Sequence, residues 1–199
     1  MWLDALADIE DLEDAEFDAA LVQQFETAAS GVRQRPIRFS TPTFKEYETS
    51  ELSGCSKNSF PAFSITAGAC GLNCDHCQKK ILEPMIPATN PRMLDDKVRQ
   101  LIAGQGLNGF LLSGGSNRRN EINYSRYLPV VEQLKNDFPD LKIAVHSALM
   151  KEQQARAMES AGVDTVMMDV IGAGETIREV YKLDRPVADF EATLAALCS

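Results

Sequence analysis

The sequence contains the run Cys70-Gly71-Leu72-Asn73-Cys74-Asp75-His76-Cys77, in which three cysteines are spaced C-x3-C-x2-C. Cysteine thiolates are the usual ligands of a four-iron, four-sulfur cluster, one thiolate to each iron. Three thiolates therefore hold three of the irons and leave the fourth iron open to a small molecule. The run predicts a [4Fe-4S] cluster on Cys70, Cys74 and Cys77, with the chemistry at the open iron.

A zinc site and a structural patch of thiols are the alternatives to a cluster on these three cysteines. A structural zinc ion needs four ligands and is typically held by paired C-x2-C motifs, which this spacing does not provide. His76 could supply a fourth ligand, but its position between two of the cysteines directs it away from them. We therefore favour the iron–sulfur interpretation.

The composition predicts an intracellular enzyme with one core. The chain has 199 residues, of which 44% are apolar, enough for one sizeable core. Its N-terminus lacks the basic and apolar segments of a signal peptide, and no apolar run reaches the length of a membrane span. We expect a cytoplasmic protein, where thiols stay reduced. The formal net charge of -9 argues against a nucleic-acid partner, since phosphate binding requires clustered Lys and Arg.

Short apolar runs alternate with helical patterns after an acidic, amphipathic segment at residues 5–25. We predict that this segment is a helix, that residues 1–50 form an N-terminal extension, and that residues 51–199 form the main domain. The predicted strands cover residues 62–66, 109–113, 141–146 and 163–169, and the predicted helices cover residues 94–102, 127–134, 151–161 and 176–182. Strands that alternate with helices imply βαβ units and a parallel sheet, so the predicted fold class is α/β.

Glycine and polar residues follow the predicted strands. Ligands gather at the carboxyl ends of parallel strands, so these residues are candidates for one site together with the cysteine run. They are Ser113, Gly114, Gly115, His146, Asp169 and Glu175. We take His146 and Asp169 as the candidate catalytic residues.

Each candidate also has a purely structural interpretation. The turn Ser113-Gly114-Gly115 lets the backbone approach a ligand closely, but an ordinary strand-to-loop turn uses the same residues. His146 either orients a substrate or satisfies a backbone carbonyl, and Asp169 either pairs with a buried partner or caps the next turn. Glu175 opens a helix, where the helix dipole alone favours a carboxylate.

The cysteine run resembles the motif of the radical S-adenosylmethionine (SAM) enzymes. In that superfamily the residue before the last cysteine, here His76, lies against the adenine, and a turn like Ser113-Gly114-Gly115 pairs with the SAM amino group. The resemblance implies that SAM binds the open iron and is cleaved to methionine and a 5′-deoxyadenosyl radical. The protein then directs that radical to one carbon of the substrate.

Further segments of the chain resemble the biotin-synthase branch of this superfamily. Residues 145–169 look like its helix and following strand, and Glu175-Thr176 match an acidic residue and threonine that help to hold SAM and substrate. Asp169 stands near a position where biotin synthase has Asn. A closer likeness, to one component of the two-protein lipoyl synthase of archaea and some bacteria, lies in residues 60–77, 82–85, 112–115, 145–146 and 174–181.

The lipoyl synthase likeness implies a sulfurtransferase. The radical would take hydrogen from an octanoyl chain carried on a lysine of a lipoyl-acceptor protein, and sulfur would be inserted at that carbon. Sulfur insertion draws on a second iron–sulfur cluster, whereas only Cys55 and Cys198 remain beyond the triad, too few to hold one. This shortage is a departure from the family pattern. The likeness to a two-protein enzyme implies a second radical SAM subunit as partner, with ferredoxin or flavodoxin as the reductant.

The fold that the resemblance implies is a partial, incomplete (β/α) radical SAM barrel. A complete eight-unit barrel runs to about 250 residues, and only four strand–helix units are predicted here. The expected sheet therefore has an open edge after its fourth strand. Two alternative functions stay open: another radical SAM reaction, such as carbon–carbon bond chemistry or methylthiolation, and a cluster-bearing binding or electron-transfer module that has lost catalysis with its late units.

Overall fold

A computed structural model describes residues 59–199 together with Gln23. The chain divides into two compact units, Met1–Pro42 and Thr43–Ser199, and the described residues other than Gln23 belong to the second unit. Apart from Gln23, which is helical, the predicted N-terminal helix lies outside the described residues. The predicted domain boundary after residue 50 also lies outside them, and both stay predictions.

Residues 59–199 alternate strands and helices along the chain. The strands are β1 (Ala62–Ser64), β2 (Ile86–Pro87), β3 (Gly109–Ser113), β4 (Lys142–Ser147) and β5 (Thr165–Met168). The helices are α1 (Pro91–Gln105), α2 (Leu128–Asp137), α3 (Glu152–Ser160), α4 (Gly174–Glu179) and α5 (Val187–Cys198), and a short 3-10 helix spans Lys80–Leu82. The strands and helices predicted within residues 59–199 are all present, with their ends shifted by a few residues.

The five strands form one parallel sheet in the order β2-β1-β3-β4-β5. Phe63 of β1 lies opposite Leu112 of β3, Leu112 lies opposite Val145 of β4, and Val145 lies opposite Val166 of β5. The predicted α/β fold with parallel strands is therefore confirmed. Since all strands run in the same direction, the loops that carry the candidate residues leave the sheet at the carboxyl ends of the strands.

The sheet has one strand more than the four predicted. β2 is two residues long and contains Pro87, so no apolar run or alternation marks it as a strand. Phe63 lies opposite Ile86 in the register, and the Ala88 N–H donates to the Ser64 carbonyl at 2.9 Å. A proline is tolerated there because β2 lies at the edge of the sheet.

Local sequence sets both ends of α1, the first helix after the cysteine run. The Asn90 side chain caps its start by accepting a hydrogen bond from the Met93 N–H at 3.0 Å. Pro91 occupies the first helical position, where no N–H is needed. Gly106 ends the helix with φ of 65°, a left-handed conformation that glycine adopts without steric cost.

The main hydrophobic core lies between the sheet and helices α1, α2 and α3. Phe63 and Phe110 on the neighbouring strands β1 and β3 pack edge to face, with ring centroids 5.5 Å apart, a favourable aromatic geometry. The fully buried side chains of this core include Phe63, Leu94, Val98, Phe110, Leu112, Val131, Leu134, Ile143 and Val145. In the part of the chain that the structure describes, no helix is both long enough and apolar enough to cross a membrane.

The β5 side of the sheet leaves apolar surface exposed. Within residues 59–199, β5 pairs only with β4. Met167 on β5 is 40% exposed, and Val170 just beyond it is 65% exposed. This edge matches the open edge expected for a partial barrel.

Asp164 ties the start of β5 to β4 and α2. Its carboxylate accepts hydrogen bonds from the Ile143 N–H at 2.8 Å and from the Lys135 ammonium at 3.0 Å, and Lys142 lies 3.2 Å away. Partial burial opposes ionisation, but the Ile143 N–H and the two lysines outweigh it and hold the pKa of Asp164 below its usual value. This cluster lies at the end of the sheet away from the cysteines, so it supports the fold rather than the candidate site.

Replacing Asp164 by asparagine should destabilise the protein in a pH-dependent manner. Loss of the charge should cost about 1 kcal/mol near pH 7, or roughly 2–4 °C in the melting temperature. The folded pKa lies below the unfolded value of about 3.9, so the stabilisation is complete above that value and is lost as the pH falls through the folded pKa. Melting temperatures measured between pH 7 and pH 3 should therefore converge for wild type and Asp164→Asn at low pH, whereas the exposed-site control Asp140→Asn should track wild type throughout.

Candidate functional site

The cysteine loop, residues 65–79, connects β1 to the 3-10 helix at the carboxyl end of the sheet. Cys74 is only 6% exposed, and Cys70 and Cys77 are partly buried. The three cysteines pack with a second apolar cluster that joins the loop to α4 and α5. Its other buried members are Leu72, Leu149, Ile171, Ile177, Leu183 and Phe190.

The carbonyl of Ser116 anchors the first half of the cysteine loop. It accepts a hydrogen bond from the Gly71 N–H at 2.6 Å, and the Cys70 thiol donates to the same oxygen at 3.7 Å. Gly71 is close against this segment, since a Cβ added to it would lie 2.9 Å from the Arg118 nitrogen. The chain that follows β3 therefore determines where Cys70 lies.

The segment after α4 anchors the second half of the loop. The Asp75 N–H donates to the Val180 carbonyl at 2.9 Å, and the Cys74 thiol donates to the Tyr181 carbonyl at 3.6 Å. Cys74 and Asp75 thus depend on a part of the chain about a hundred residues away in sequence. The loop is held from both sides by backbone groups of distant segments.

The three thiols form a donor set that suits a cluster. Among residues 59–199, no three His, Cys, Asp or Glu side chains converge as the ligands of a single metal ion would. A four-iron cluster does not require such convergence, because each thiolate binds a different iron. Burial, followed by the charges of Cys77 and Cys70, raises the pKa of the Cys74 thiol to about 11. Iron binding would displace the Cys74 proton.

The turn Ser113-Gly114-Gly115 passes in direct contact with the cysteine loop. A Cβ at Gly115 would lie 2.6 Å from the Cys70 Cα and would also overlap the Ala69 carbonyl oxygen. The Gly115 N–H donates to Thr66 Oγ1 at 2.7 Å, which ties the turn to the start of the loop. Only a residue without a Cβ permits this approach of two backbone segments.

His146, Asp169 and Tyr181 form a polar wall beside the cysteine loop. His146 lies near the end of β4 and Asp169 directly after β5, and these strands are neighbours in the sheet. The His146 Nε2 lies 4.0 Å from Asp169 Oδ1, a separation that is electrostatic rather than a hydrogen bond. The Tyr181 hydroxyl donates to Asp169 Oδ2 over a long 3.4 Å.

Two members of the polar wall, Asp169 and Tyr181, have shifted pKa values. The His146 side chain is the largest cause that holds the pKa of Asp169 below its usual value, although burial acts against it. Burial and then the Asp169 charge raise the pKa of Tyr181 to about 12. Asp169 is therefore a carboxylate at neutral pH. Tyr181 is protonated, so its hydroxyl can donate the hydrogen bond to Asp169.

The imidazole of His76 lies against the ring of Tyr181. The two ring centroids are 4.6 Å apart, and the ring planes are inclined by 46°. His76 is otherwise exposed. An aromatic surface next to the three cysteines is thus built from one residue of the cysteine loop and one residue that follows α4.

These groups line a single cavity of about 440 Å³, within the usual range for a small-molecule site. Its remaining surface is largely apolar, with Leu72, Leu82, Leu111, Met168 and Phe190 among the lining residues. The candidate residues that line it are Cys70, Cys74, Cys77, His76, Ser113, Gly114, Gly115, His146 and Asp169. Glu175 does not line it; this residue is exposed on the first turn of α4.

Three residues of the site have no clear signal in the sequence. Tyr181 lines the cavity and contacts both His76 and Asp169, but a tyrosine after a helix is not distinctive by itself. Thr66 accepts from Gly115, and the Tyr124 hydroxyl donates to the His146 carbonyl at 2.7 Å, which fixes the end of β4. Only the tertiary contacts identify these roles.

Comparison with known proteins supports the fold. No protein-family model matches the sequence, and no curated protein matches it. The chain is similar to the solved structure of methylornithine synthase (PylB), with 13% sequence identity and a TM-score of 0.50 over 70% of this chain. It spans 41% of the length of that protein. At this identity the likeness concerns the fold alone, and it supports the predicted parallel α/β sheet with helices.

Replacing Gly115 by alanine should disturb the cysteine loop. The new Cβ would meet backbone atoms of Ala69 and Cys70, which cannot move aside without displacing the loop, at a cost of about 1–3 kcal/mol. Iron bound per chain after anaerobic reconstitution should fall several-fold, and the melting temperature should drop. The matched control is Gly68→Ala in the same loop, where a Cβ meets nothing within 4 Å. Equal iron contents in the two variants would show that the close approach is unimportant.

Proposed function

We propose that this protein is a radical SAM enzyme that abstracts hydrogen from an unactivated carbon. The observation that carries the proposal is the cavity in which three partly or fully buried cysteines with C-x3-C-x2-C spacing meet the turn Ser113-Gly114-Gly115. The donor set suits a cluster with one open iron, and the glycine turn leaves backbone groups accessible beside it. The similarity in fold to part of a radical SAM barrel supports the same class of function.

Cys70, Cys74 and Cys77 would hold the [4Fe-4S] cluster. When bound, the cluster and SAM together supply a 5′-deoxyadenosyl radical, which takes a hydrogen atom from the substrate. The carbonyls of Ser116 and Tyr181 accept hydrogen bonds from the Cys70 and Cys74 thiols and so position these two cysteines before iron binds. Because the loop is already positioned, less of its conformational freedom is lost when the ligands bind.

The remaining cavity residues would bind and orient SAM. His76 and Tyr181 offer aromatic surface for a flat base, and the backbone of Ser113-Gly114-Gly115 offers polar groups to an amino acid moiety. Asp169, as a carboxylate, can accept hydrogen bonds from hydroxyl or ammonium groups. The apolar part of the lining would contact the apolar surface of the bound molecules.

The reaction that we propose in particular is sulfur insertion into an octanoyl chain on a lipoyl-acceptor protein. The apolar residues Ile81, Leu82 and Met85 line the cavity next to the cysteine loop and could accommodate an alkyl chain. A second cluster as sulfur donor would have to come from a second radical SAM subunit. Cys198 is exposed at the end of α5, and Cys55 lies outside the described residues.

Two further expectations belong to this proposal. A ferredoxin or flavodoxin would deliver the electron that starts each turnover. The reaction would take place in the cytoplasm, where reduced thiols and such carriers coexist. Neither nucleic acid nor membrane has a role in it.

Anaerobic reconstitution tests the proposed class of reaction. With iron, sulfide, SAM and a strong reductant, the protein should bind about four irons per chain and release 5′-deoxyadenosine and methionine in equal amounts. Cys70→Ala, Cys74→Ala and Cys77→Ala should each abolish both products, because a cubane with a missing thiolate is poorly held. Cys198→Ala, which removes the exposed cysteine of α5, should behave as wild type. An intact cluster without SAM cleavage would instead favour a binding or electron-transfer module, and a colourless zinc centre would refute the proposal.

The octanoyl specificity requires a separate measurement. An octanoylated acceptor protein should raise 5′-deoxyadenosine formation well above the level seen with SAM alone, and mass spectrometry of the acceptor should show added sulfur only when a second, cluster-bearing subunit is present. The matched control is the same acceptor protein without its octanoyl group. Equal product formation with both acceptors would point to another radical SAM reaction.

A further inference from the structure

The three residues that follow α4, at positions 180–182, each contact the cysteine loop. The Val180 carbonyl accepts from the Asp75 N–H, and the Tyr181 carbonyl accepts from the Cys74 thiol. The Lys182 ammonium lies 2.8 Å from the Asp75 carboxylate, so three successive residues each hold the middle of the loop. Lys182 itself has a φ of 55°, a left-handed conformation that turns the chain back after these contacts.

The side chain of Tyr181 extends these backbone contacts across the cavity. Its ring lies against His76 on the cysteine loop, and its hydroxyl reaches Asp169, which in turn lies 4.0 Å from His146. The Tyr181 side chain therefore contacts both the cysteine loop and the end of β5. Asp169 extends this set of contacts to His146 at the end of β4. The Tyr181 ring contacts His76, and the Tyr181 hydroxyl contacts Asp169. The contact with Asp169 can therefore be removed without removing the contact with His76.

We infer that Tyr181 is a positioning residue, which sets the His76 imidazole and the Asp169 carboxylate in fixed relation to the three cysteines. This inference rests on the proposed function, since these two groups would contact SAM. A residue with only a ring would hold His76 and release Asp169. An aliphatic residue such as leucine would contact neither His76 nor Asp169 in this way. A purely structural tyrosine would affect stability alone.

The two histidines of the chain give a direct test, because both belong to this site and the imidazole region of an NMR spectrum contains no others. The experiment uses the full-length chain before iron is added, with the signals assigned from His76→Gln and His146→Gln. Tyr181→Phe keeps the ring, so it should leave the His76 signals in place and move those of His146 through Asp169. Tyr181→Leu should move the signals of both histidines. Unchanged His76 signals in Tyr181→Leu would overturn the inference.

The second test follows SAM affinity in the reconstituted protein, from the spectral change of the cluster on titration with SAM. Tyr181→Phe should weaken the affinity about five- to tenfold, the effect of one ordinary hydrogen bond, because the bond to Asp169 is long and exposed. Because Tyr181 acts through Asp169, adding Tyr181→Phe to Asp169→Asn should cause no further loss. Additive losses in the double variant would mean that Tyr181 acts independently of Asp169 and would overturn the inference.

Tyr127→Phe is the matched control. Its hydroxyl donates to the Ala88 carbonyl at 2.8 Å in the main core, away from the cavity. It should lower the melting temperature without moving either histidine signal or the SAM affinity. If wild type binds no SAM, the proposed function fails, and the histidine signals still decide whether Tyr181 positions His76 and Asp169.

Discussion

The cysteine loop is held by backbone groups that lie far from it in sequence, and this arrangement governs the rest of the site. The Ser116 carbonyl accepts a hydrogen bond from the Cys70 thiol, and the Tyr181 carbonyl accepts one from the Cys74 thiol. A loop of this kind would otherwise sample many conformations, at a cost of about 1–2 kcal/mol for each residue ordered on ligand binding. Here the loop is ordered by the fold itself, because Leu72 and Cys74 of the loop are buried in the apolar cluster with Ile177 and Phe190.

The parallel sheet explains why these groups meet at one place. The carboxyl ends of β1, β3, β4 and β5 lie side by side, so the loop after each strand contributes to one cavity. The glycine turn after β3 approaches the cysteine loop because β1 and β3 are paired, and Asp169 stands beside His146 because β4 and β5 are paired. Strand order therefore selects which candidate residues become neighbours.

The polar wall and the aromatic pair add a second level of organisation. His146 lowers the pKa of Asp169, and partial burial followed by the Asp169 charge raises the pKa of Tyr181 to about 12. The Tyr124 hydroxyl holds the end of β4 by its bond to the His146 carbonyl. These contacts orient polar groups that remain partly exposed to water: the Asp169 side chain is 55% exposed and that of His146 is 35% exposed.

The residue pattern alone predicted the parallel α/β fold, which is confirmed, because periodicity is a local signal. It also singled out the three cysteines and the turn Ser113-Gly114-Gly115 as candidates, by spacing and by glycine, and the structure places them around one cavity. It did not reveal β2, whose two residues include a proline, or the role of Tyr181. It also grouped Glu175 with the site, whereas this residue is exposed on α4 and does not line the cavity. Contacts between the segments 74–76 and 180–182 arise from strand order and core packing, which no local pattern records. The sequence therefore carried the chemistry of the individual groups, and the tertiary structure decided which of them act together.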